Sequence, residues 1–256
     1  MIALPSLQRM CWLLASFGVG LLFVLLWYVI AQAKLVSPVF LPGPGRTFDA
    51  LYYGLVEGDL ATNTLATVER MVYGWLLASI AGIAIGAMIG VSQTARAYVE
   101  PTLEFLRPLP ASAMMPVAIA LLGLSDAMVL AVIAFGALWP MLLATVHGFA
   151  AVEPRLYQVS RALGLSHAEV VRKIALPSAM PDILSGMRVG LTIALILAVV
   201  GEMLASRPGL GQAILLAARA FQSADLYAGV ILLGIIGYVS NLALSLTEQR
   251  LLRWRV

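Results

Sequence analysis

Few side chains of this chain could carry out covalent or metal chemistry. The two histidines, His147 and His167, have no Cys, Asp or Glu near them at metal-ligand spacing. The single cysteine, Cys11, excludes an intrachain disulfide and a Cys-x-x-Cys metal site. The hydrolase pattern Gly-x-Ser-x-Gly and the phosphate-binding pattern Gly-x-x-x-x-Gly-Lys-Ser/Thr are both absent. We therefore predict no catalytic residue, no metal and no cofactor in this chain, so that any ATP it uses must bind to a partner.

One acidic side chain, Glu202, falls inside a long apolar run. An ionised group at the centre of a membrane helix costs about 2.5–3.5 kcal/mol on insertion scales, and less near the interface. A glycine-rich break that contains Gly209 and Gly211 follows it. Two interpretations stay open: Glu202 faces a polar cavity or anchors this turn, or its side chain extends to the membrane interface.

The longest polar stretch, 153–186, begins with the pattern of a short helix. Leu156, Val159 and Leu163 recur at i, i+3 and i+7, which predicts one apolar stripe along this helix. Gly164 follows directly, and glycine commonly ends a helix where φ turns positive.

A second short helix is predicted after this glycine. Ser166 and Glu169 have the spacing of a capping box, in which each side chain bonds to the backbone of the other residue. Pro177 and Pro181 are expected to close the helix, because proline lacks the N–H that a helix interior needs. A plain basic cytoplasmic loop is the alternative, since membrane orientation alone produces basic loops.

This stretch resembles the cytoplasmic EAA loop of the permease subunits of ABC importers, in the nitrate, sulfonate and taurine branch. The family pattern Glu-Ala-Ala-x-x-x-Gly corresponds to residues 158–164, and the proline-marked return to the membrane corresponds to 176–181. The glycine and both prolines fit, whereas Gln158, Val159 and Ser160 replace the first three letters. The similarity extends from about residue 41 to residue 253.

The resemblance implies an all-α, polytopic membrane helix bundle with about six transmembrane helices and the fold of type I (MetI-like) importer permeases. It implies a subunit that passes a small polar or anionic solute from a periplasmic binding protein into the cytoplasm by ATP-driven alternating access. The implied partners are that binding protein, a second copy of this chain and a cytoplasmic ATPase dimer that holds ATP and Mg. The residues assigned to ATPase coupling are Leu156, Gln158, Val159, Ser160, Arg161, Ala162, Leu163, Gly164, Leu165, Ser166 and Glu169.

Composition independently indicates a membrane protein. Of the 256 residues 61% are hydrophobic and 11% are charged, against about 25% charged in soluble domains. The net charge of +3 forms no basic stripe interleaved with aromatic residues, so nucleic acid is not an expected partner. We expect one permease domain over 1–256, with an additional N-terminal helix in 1–34, a core bundle at 60–250 and the coupling loop at 153–181.

A spanning helix needs about 20 apolar residues, and the chain has room for five or six. The first run, 11–31, exceeds the about 7–15 residues of a signal-peptide core, which favours an uncleaved helix over a cleaved signal. A short surface helix is predicted at 47–56, and a polar connection at 93–107. The remaining predicted spans are 63–92, 111–124, 127–149, 183–205 and 226–246.

The second span carries small residues at every fourth position: Gly74, Ala78, Gly82, Gly86 and Gly90. Such a row lets helices approach closely, and we assign helix packing to Gly82, Gly86 and Gly90. Because the row drifts around a helix, a straight partner is expected to contact about three of the five positions. Simple tolerance of glycine in membrane helices is the alternative.

Two further features of the spans concern polar contacts and the solute pathway. Glu69 and Arg70 are predicted to pair near the outer end of the second span. Prolines interrupt the third span, and such breaks need protein or a water-filled cavity to satisfy the freed carbonyls. The residues assigned to the translocation pathway or gate are Pro116, Trp139, Glu202, Gly209 and Gly211.

The basic residues predict the orientation, because cytoplasmic loops are rich in Lys and Arg. Six spans with the N-terminus inside place eleven of the sixteen basic residues inside, which predicts a bacterial inner-membrane protein with both termini cytoplasmic. The inside residues are Arg9, Arg96, Arg107, Arg155, Arg161, Arg172, Lys173, Arg188, Arg250, Arg253 and Arg255. A membrane enzyme or its anchoring subunit is the alternative function, and co-purification with an ATP-hydrolysing subunit distinguishes the two.

Cysteine labelling tests this topology. In a chain whose Cys11 is replaced by Ser, a cysteine at Ser166 should react with a membrane-impermeant reagent from the inner side only. A cysteine at Gly43 should react from the outer side only. Labelling with the two sides exchanged would contradict the six-span orientation.

Overall fold

The structure is a computed structural model that describes residues 6–106 and 108–253, with side chains described from residue 15. The chain is 84% helical and the described residues contain no strand, which confirms the all-α prediction. Arg107 and Arg255, which the orientation count includes, lie outside the described residues. The helices in the described ranges are α1 (Ser6–Gln32), α2 (Pro44–Val56), α3 (Leu60–Gly90), α4 (Gln93–Leu106), α5 (Met115–Leu122), α6 (Asp126–Ala150), α7 (Pro154–Ala162), α8 (His167–Val170), α9 (Leu176–Ala205), α10 (Leu210–Arg219) and α11 (Ser223–Leu251).

The chain divides into two compact units, of which the smaller comprises residues up to 61 and 213–231. Within it, the Trp27 indole N–H donates to the carbonyl of Pro42 at 2.9 Å, and the Trp27 ring stacks on Tyr227 with 6.2 Å between centroids. Helix α2 begins with Pro44 at its first position, where the missing N–H is not needed. The predicted surface helix at 47–56 is therefore present and starts three residues earlier.

The larger unit comprises residues 62–212 and those from 232 onward, and in it α6 packs against both α3 and α9. Helix α3 runs parallel to α6, since Gly74 faces Ile133 and Gly90 faces Phe149. Helix α9 runs antiparallel to α6, since Gly186 faces Ala144 and Gly201 faces Val129. The Trp75 indole N–H also donates to the carbonyl of Met187 at 3.0 Å and joins α3 to α9.

The small-residue row of α3 packs against α6 along its full length, so the expectation of about three contacts was too low. A Cβ at Gly86 would lie 2.7 Å from the Thr145 Cβ, and a Cβ at Gly90 would lie 2.6 Å from the Phe149 Cβ. The facing residues of α6 are spaced by four or eight positions, in the series Ile133, Met141, Thr145 and Phe149. When both helices use rows of this spacing, the two rows follow the same inclined path and stay in contact.

Five described helices are long and apolar enough to span a membrane, or six if the bent pair α4 and α5 forms one span. The predicted third span at 111–124 is helical only over residues 111–122. It consists of a 3₁₀ turn, Ala111–Met114, and the eight-residue α5, which is too short to cross alone. The polar connection at 93–107 is instead helical as α4, bent by more than 40° from the segment that follows.

Pro177 and Pro181 do not end the second loop helix, contrary to the prediction. Helix α8 continues through a π turn, Val171–Ala175, into α9, so that one helical segment runs from His167 to Ala205. A proline ring clashes with the carbonyl four residues before it, and for Pro177 that carbonyl belongs to Lys173. The wider π turn contains Lys173, which explains how the helix continues past the proline.

Candidate functional site

The first helix of the predicted coupling segment ends at Gly164, as predicted. Helix α7 ends in a Schellman motif, with the Leu165 N–H bonded to the carbonyl of Ser160 (3.0 Å) and the Gly164 N–H bonded to the carbonyl of Arg161 (3.1 Å). Gly164 has φ +64°, and open space surrounds the position where a Cβ would lie. A side chain at Gly164 is therefore disfavoured by backbone conformation and not by packing.

The capping box that starts the next helix is also present. The Ser166 N–H donates to Glu169 Oε2 at 3.0 Å, and the Glu169 N–H lies 3.4 Å from the Ser166 hydroxyl. Lys173 binds the other carboxylate oxygen of Glu169 at 2.8 Å. The two caps fix the direction of the chain between α7 and α8.

The two faces of α7 differ in burial. Ser160 is 2% exposed, and Tyr157 packs against the apolar cluster that includes Phe149, Val152 and Ala175. The predicted stripe on the other face is uncovered, with Leu156 38%, Val159 52% and Leu163 69% exposed. The other assigned residues Gln158, Arg161 and Ala162 are exposed as well.

At the opposite end of α9, Glu202 is completely buried. Its Oε2 accepts hydrogen bonds from the Thr67 hydroxyl (3.0 Å) and the Gly211 N–H (2.9 Å), and its Oε1 accepts one from Arg70 Nη1 (3.0 Å). A charge buried in an apolar helix bundle requires such partners. The side chain therefore does not extend to the membrane interface but contacts the turn at Gly209–Gly211.

The turn between α9 and α10 requires its two glycines because it lies directly on the carboxylate. A Cβ at Gly209 would overlap the Glu202 carboxyl group, and a Cβ at Gly211 would overlap the carbonyl of Val199. The Leu210 N–H donates to the Thr67 hydroxyl oxygen at 2.9 Å. The first residues of α10 are thereby bonded to both α3 and α9.

Arg70 does not pair with its neighbour Glu69, as the sequence suggested, but with residues of other helices. Its Nε donates to Asp126 Oδ1 at 3.0 Å and its Nη1 donates to the carbonyl of Pro208 at 2.6 Å, in addition to the bond with Glu202. Asp126 Oδ2 accepts a further bond from Arg207 at 2.7 Å. Thr67 and Asp126 were not among the predicted site residues, although the i, i+3 spacing of Thr67 and Arg70 on one helix face was a usable signal.

A cavity of about 740 Å³ lies between α4, α6 and α9. Trp139, which was assigned to the pathway, lines this cavity together with Asp182 and Ser185 of α9. His147 also contributes to the lining and is exposed, as expected for a surface residue. Pro116 is exposed on α5 and is not part of this lining.

Comparison with known proteins identifies the family. The model described as "Binding-protein-dependent transport system inner membrane component" matches residues 78–254. The putative aliphatic sulfonates transport permease protein SsuC of Bacillus subtilis (strain 168) is 30% identical over 98% of this chain and 91% of its own length. The taurine transport system permease protein TauC of Escherichia coli (strain K12) is 28% identical over 93% and 90%, and the bicarbonate transport system permease protein CmpB of Synechococcus elongatus is 26% identical over 90% and 86%.

Solved structures share the fold. Inward-facing MetNI methionine ABC transporter matches with a TM-score of 0.66 and 17% identity, over 75% of this chain and 95% of that chain. An amino acid ABC transporter matches with a TM-score of 0.61 and 18% identity, over 80% and 98%. These likenesses confirm the predicted type I importer permease fold.

The fold and the matched family define a multi-pass membrane protein of the transport class. The chain belongs to the family of inner membrane components of binding-protein-dependent transport systems, and it is the permease of an ABC importer. The predicted resemblance to the sulfonate and taurine branch is confirmed by the relatives.

Replacement of Glu202 by Gln tests the function of the buried carboxylate. The side-chain NH₂ of the new glutamine must face either Arg70 or the Thr67 and Gly211 donors. On that side two hydrogen-bond donors then face each other, and the hydrogen bond is lost. Because hydrogen bonds to charged groups contribute about 1.5–3 kcal/mol, we expect solute uptake to fall at least tenfold. The measurement uses proteoliposomes and the solute that co-purifies with the cognate binding protein.

Thr67→Ser, which keeps the hydroxyl, is the matched control and should transport at close to the wild-type rate. Size-exclusion chromatography should show that both variants assemble as the wild-type permease does. Wild-type uptake by Glu202→Gln would refute a role of the charge in transport.

Proposed function

We propose that this permease forms the membrane passage of an ATP-driven importer and that α7 is the helix that docks on the ATPase. Its stripe of Leu156, Val159 and Leu163 is the observation that carries this proposal. Three apolar side chains project from one face of a helix whose other face is packed, whose first position is Pro154 and whose C-terminal end is capped. A rigid helix that presents spaced apolar anchors suits insertion into a groove of a partner protein.

In this proposal the α7 end faces the cytoplasm and the Glu202 end faces the periplasm. Two copies of the chain bind two ATPase subunits inside, where ATP and Mg are held, and a solute-binding protein docks outside. ATP-dependent closure of the ATPases moves α7 and α8. The movement passes into α9 through the continuous helical segment His167–Ala205, and the bundle alternates between outward and inward access.

The solute is proposed to be small and polar or anionic, similar to the sulfonate, taurine and bicarbonate named for the relatives. The cavity beside Trp139 is the proposed passage. Its lining includes the carboxylates of Glu100, Glu104 and Asp182 and, among the described residues, no Lys or Arg. These carboxylates would contact the hydrogen-bond donors or the positive group of a polar or zwitterionic solute.

Gly164→Val tests whether α7 is the coupling helix. Valine in a left-handed conformation costs about 1–2 kcal/mol, which corresponds to a factor of roughly 5–30 in the population of the native α7 cap. We expect the variant to insert and dimerise normally, because no membrane-spanning helix is changed. It should retain less ATPase on a tagged permease, or retain the ATPase and fail to drive uptake.

Gly123→Val is the control, because Gly123 also has a positive φ, +67°, and open space around its Cβ position; its ψ of −172° is a value that only glycine commonly adopts with this φ, so the backbone strain is at least as large as at Gly164. It lies between α5 and α6, away from α7, and should leave ATPase retention unchanged. If Gly164→Val retains the ATPase and transports at the wild-type rate, α7 does not couple the two subunits.

A further inference from the structure

The turn that follows α9 is held by two sets of contacts that differ in burial. We call the first set the buried side: the N–H groups of Leu210 and Gly211 bonded to Thr67 and Glu202. All four residues are buried, and both acceptors are fully enclosed by protein. Breaking these bonds would leave the Leu210 and Gly211 N–H groups buried without acceptors and would remove one of the three donors to the Glu202 carboxylate, which is strongly unfavourable.

The second set, the exposed side, joins Asp126 at the start of α6 to Arg207 in the turn. The Asp126 side chain is 49% exposed and that of Arg207 is 35% exposed. Pro208, whose carbonyl accepts from Arg70, is exposed as well. Ion pairs with this degree of exposure stabilise proteins little, because water solvates both partners when they separate.

Arg70 connects the two sides, and because of it the loss of a bond on the buried side is more unfavourable than the loss of a bond on the exposed side. Its Nη1 binds Glu202 and its Nε binds Asp126, so that two cations, Arg70 and Arg207, share two carboxylates. Loss of Arg70 would leave Glu202 as an uncompensated buried charge. Release of Arg207 leaves both carboxylates paired with Arg70 and allows the Arg207 guanidinium to be hydrated.

We propose that Asp126 is a positioning residue and that its bond to Arg207 is the releasable contact of the turn. The turn opens at Arg207 and Pro208 while Leu210 and Gly211 stay bonded to Thr67 and Glu202. The movement is thus a rotation about the buried side. The inference rests on the proposed function in one respect, since it takes this turn to lie at the periplasmic end of the permease.

Amide hydrogen exchange of the permease in nanodiscs, resolved to single residues, tests the proposal. The reporter is the Arg207 N–H, which bonds to the carbonyl of Glu202 at 3.1 Å, and the references are the Leu210 and Gly211 N–H groups. Asp126→Asn, which removes the charge and keeps the shape, should speed exchange at Arg207 about fivefold, as expected for loss of an exposed ion pair. Exchange at Leu210 and Gly211 should stay at the wild-type rate.

Arg207→Gln removes the same bond from its other partner and should give the same pattern, so that the test does not depend on the folding of one variant. In the double variant the two effects should not add, because each change removes the same interaction. Thr67→Val is the opposite control and should speed exchange at Leu210 and Gly211. A change of equal factor at all three amides, additive effects, or no change at Arg207 would overturn the proposal.

The exchange experiment uses the permease alone, without ATPase or binding protein. A negative result would refute the proposal that the Asp126–Arg207 bond is releasable, and it would not affect the ATPase-retention result for Gly164→Val. A failure of ATPase coupling would in turn leave the selective exchange at Arg207 as a property of the turn itself.

Discussion

The complete burial of the Glu202 carboxylate is the constraint on which one end of the bundle depends. A charge in this position is tolerated only when every oxygen has partners, and the partners come from α3 and from the turn that follows α9. Thr67 and Arg70 therefore have to lie on the face of α3 that meets α9. Gly209 must lack a side chain because the turn approaches the carboxylate directly.

Close helix packing extends this constraint along the bundle. The small residues of α3 and α9 bring both helices against α6, and a close-packed group of helices moves as a body and does not deform gradually. Helix α9 also continues without a break from the segment that follows α7. In the proposed mechanism, a displacement of α7 by the ATPase therefore reaches the contacts of Glu202 through one continuous helical segment.

The parts of this structure that sequence could predict are those decided by neighbouring residues. The Schellman turn at Gly164 and the capping box of Ser166 and Glu169 depend on residues within six positions of one another, and both are present. The two side-chain partners of Glu202, Arg70 and Thr67, lie 132 and 135 residues away, and only the packing of α3 on α9 brings them to the carboxylate. The prediction that Pro177 ends the second loop helix failed for a related reason, because the π turn that accommodates this proline has no evident sequence signal.

The central claim is that events at α7 reach the turn beside Glu202. The most direct test is amide exchange at Arg207 in the assembled transporter, compared between the nucleotide-free state and a state trapped with ATP and Mg. The account predicts a change in exchange at Arg207 on ATP binding that disappears in a variant whose Leu156, Val159 and Leu163 are replaced by Ser. Identical exchange at Arg207 in both nucleotide states of the wild-type transporter would contradict it.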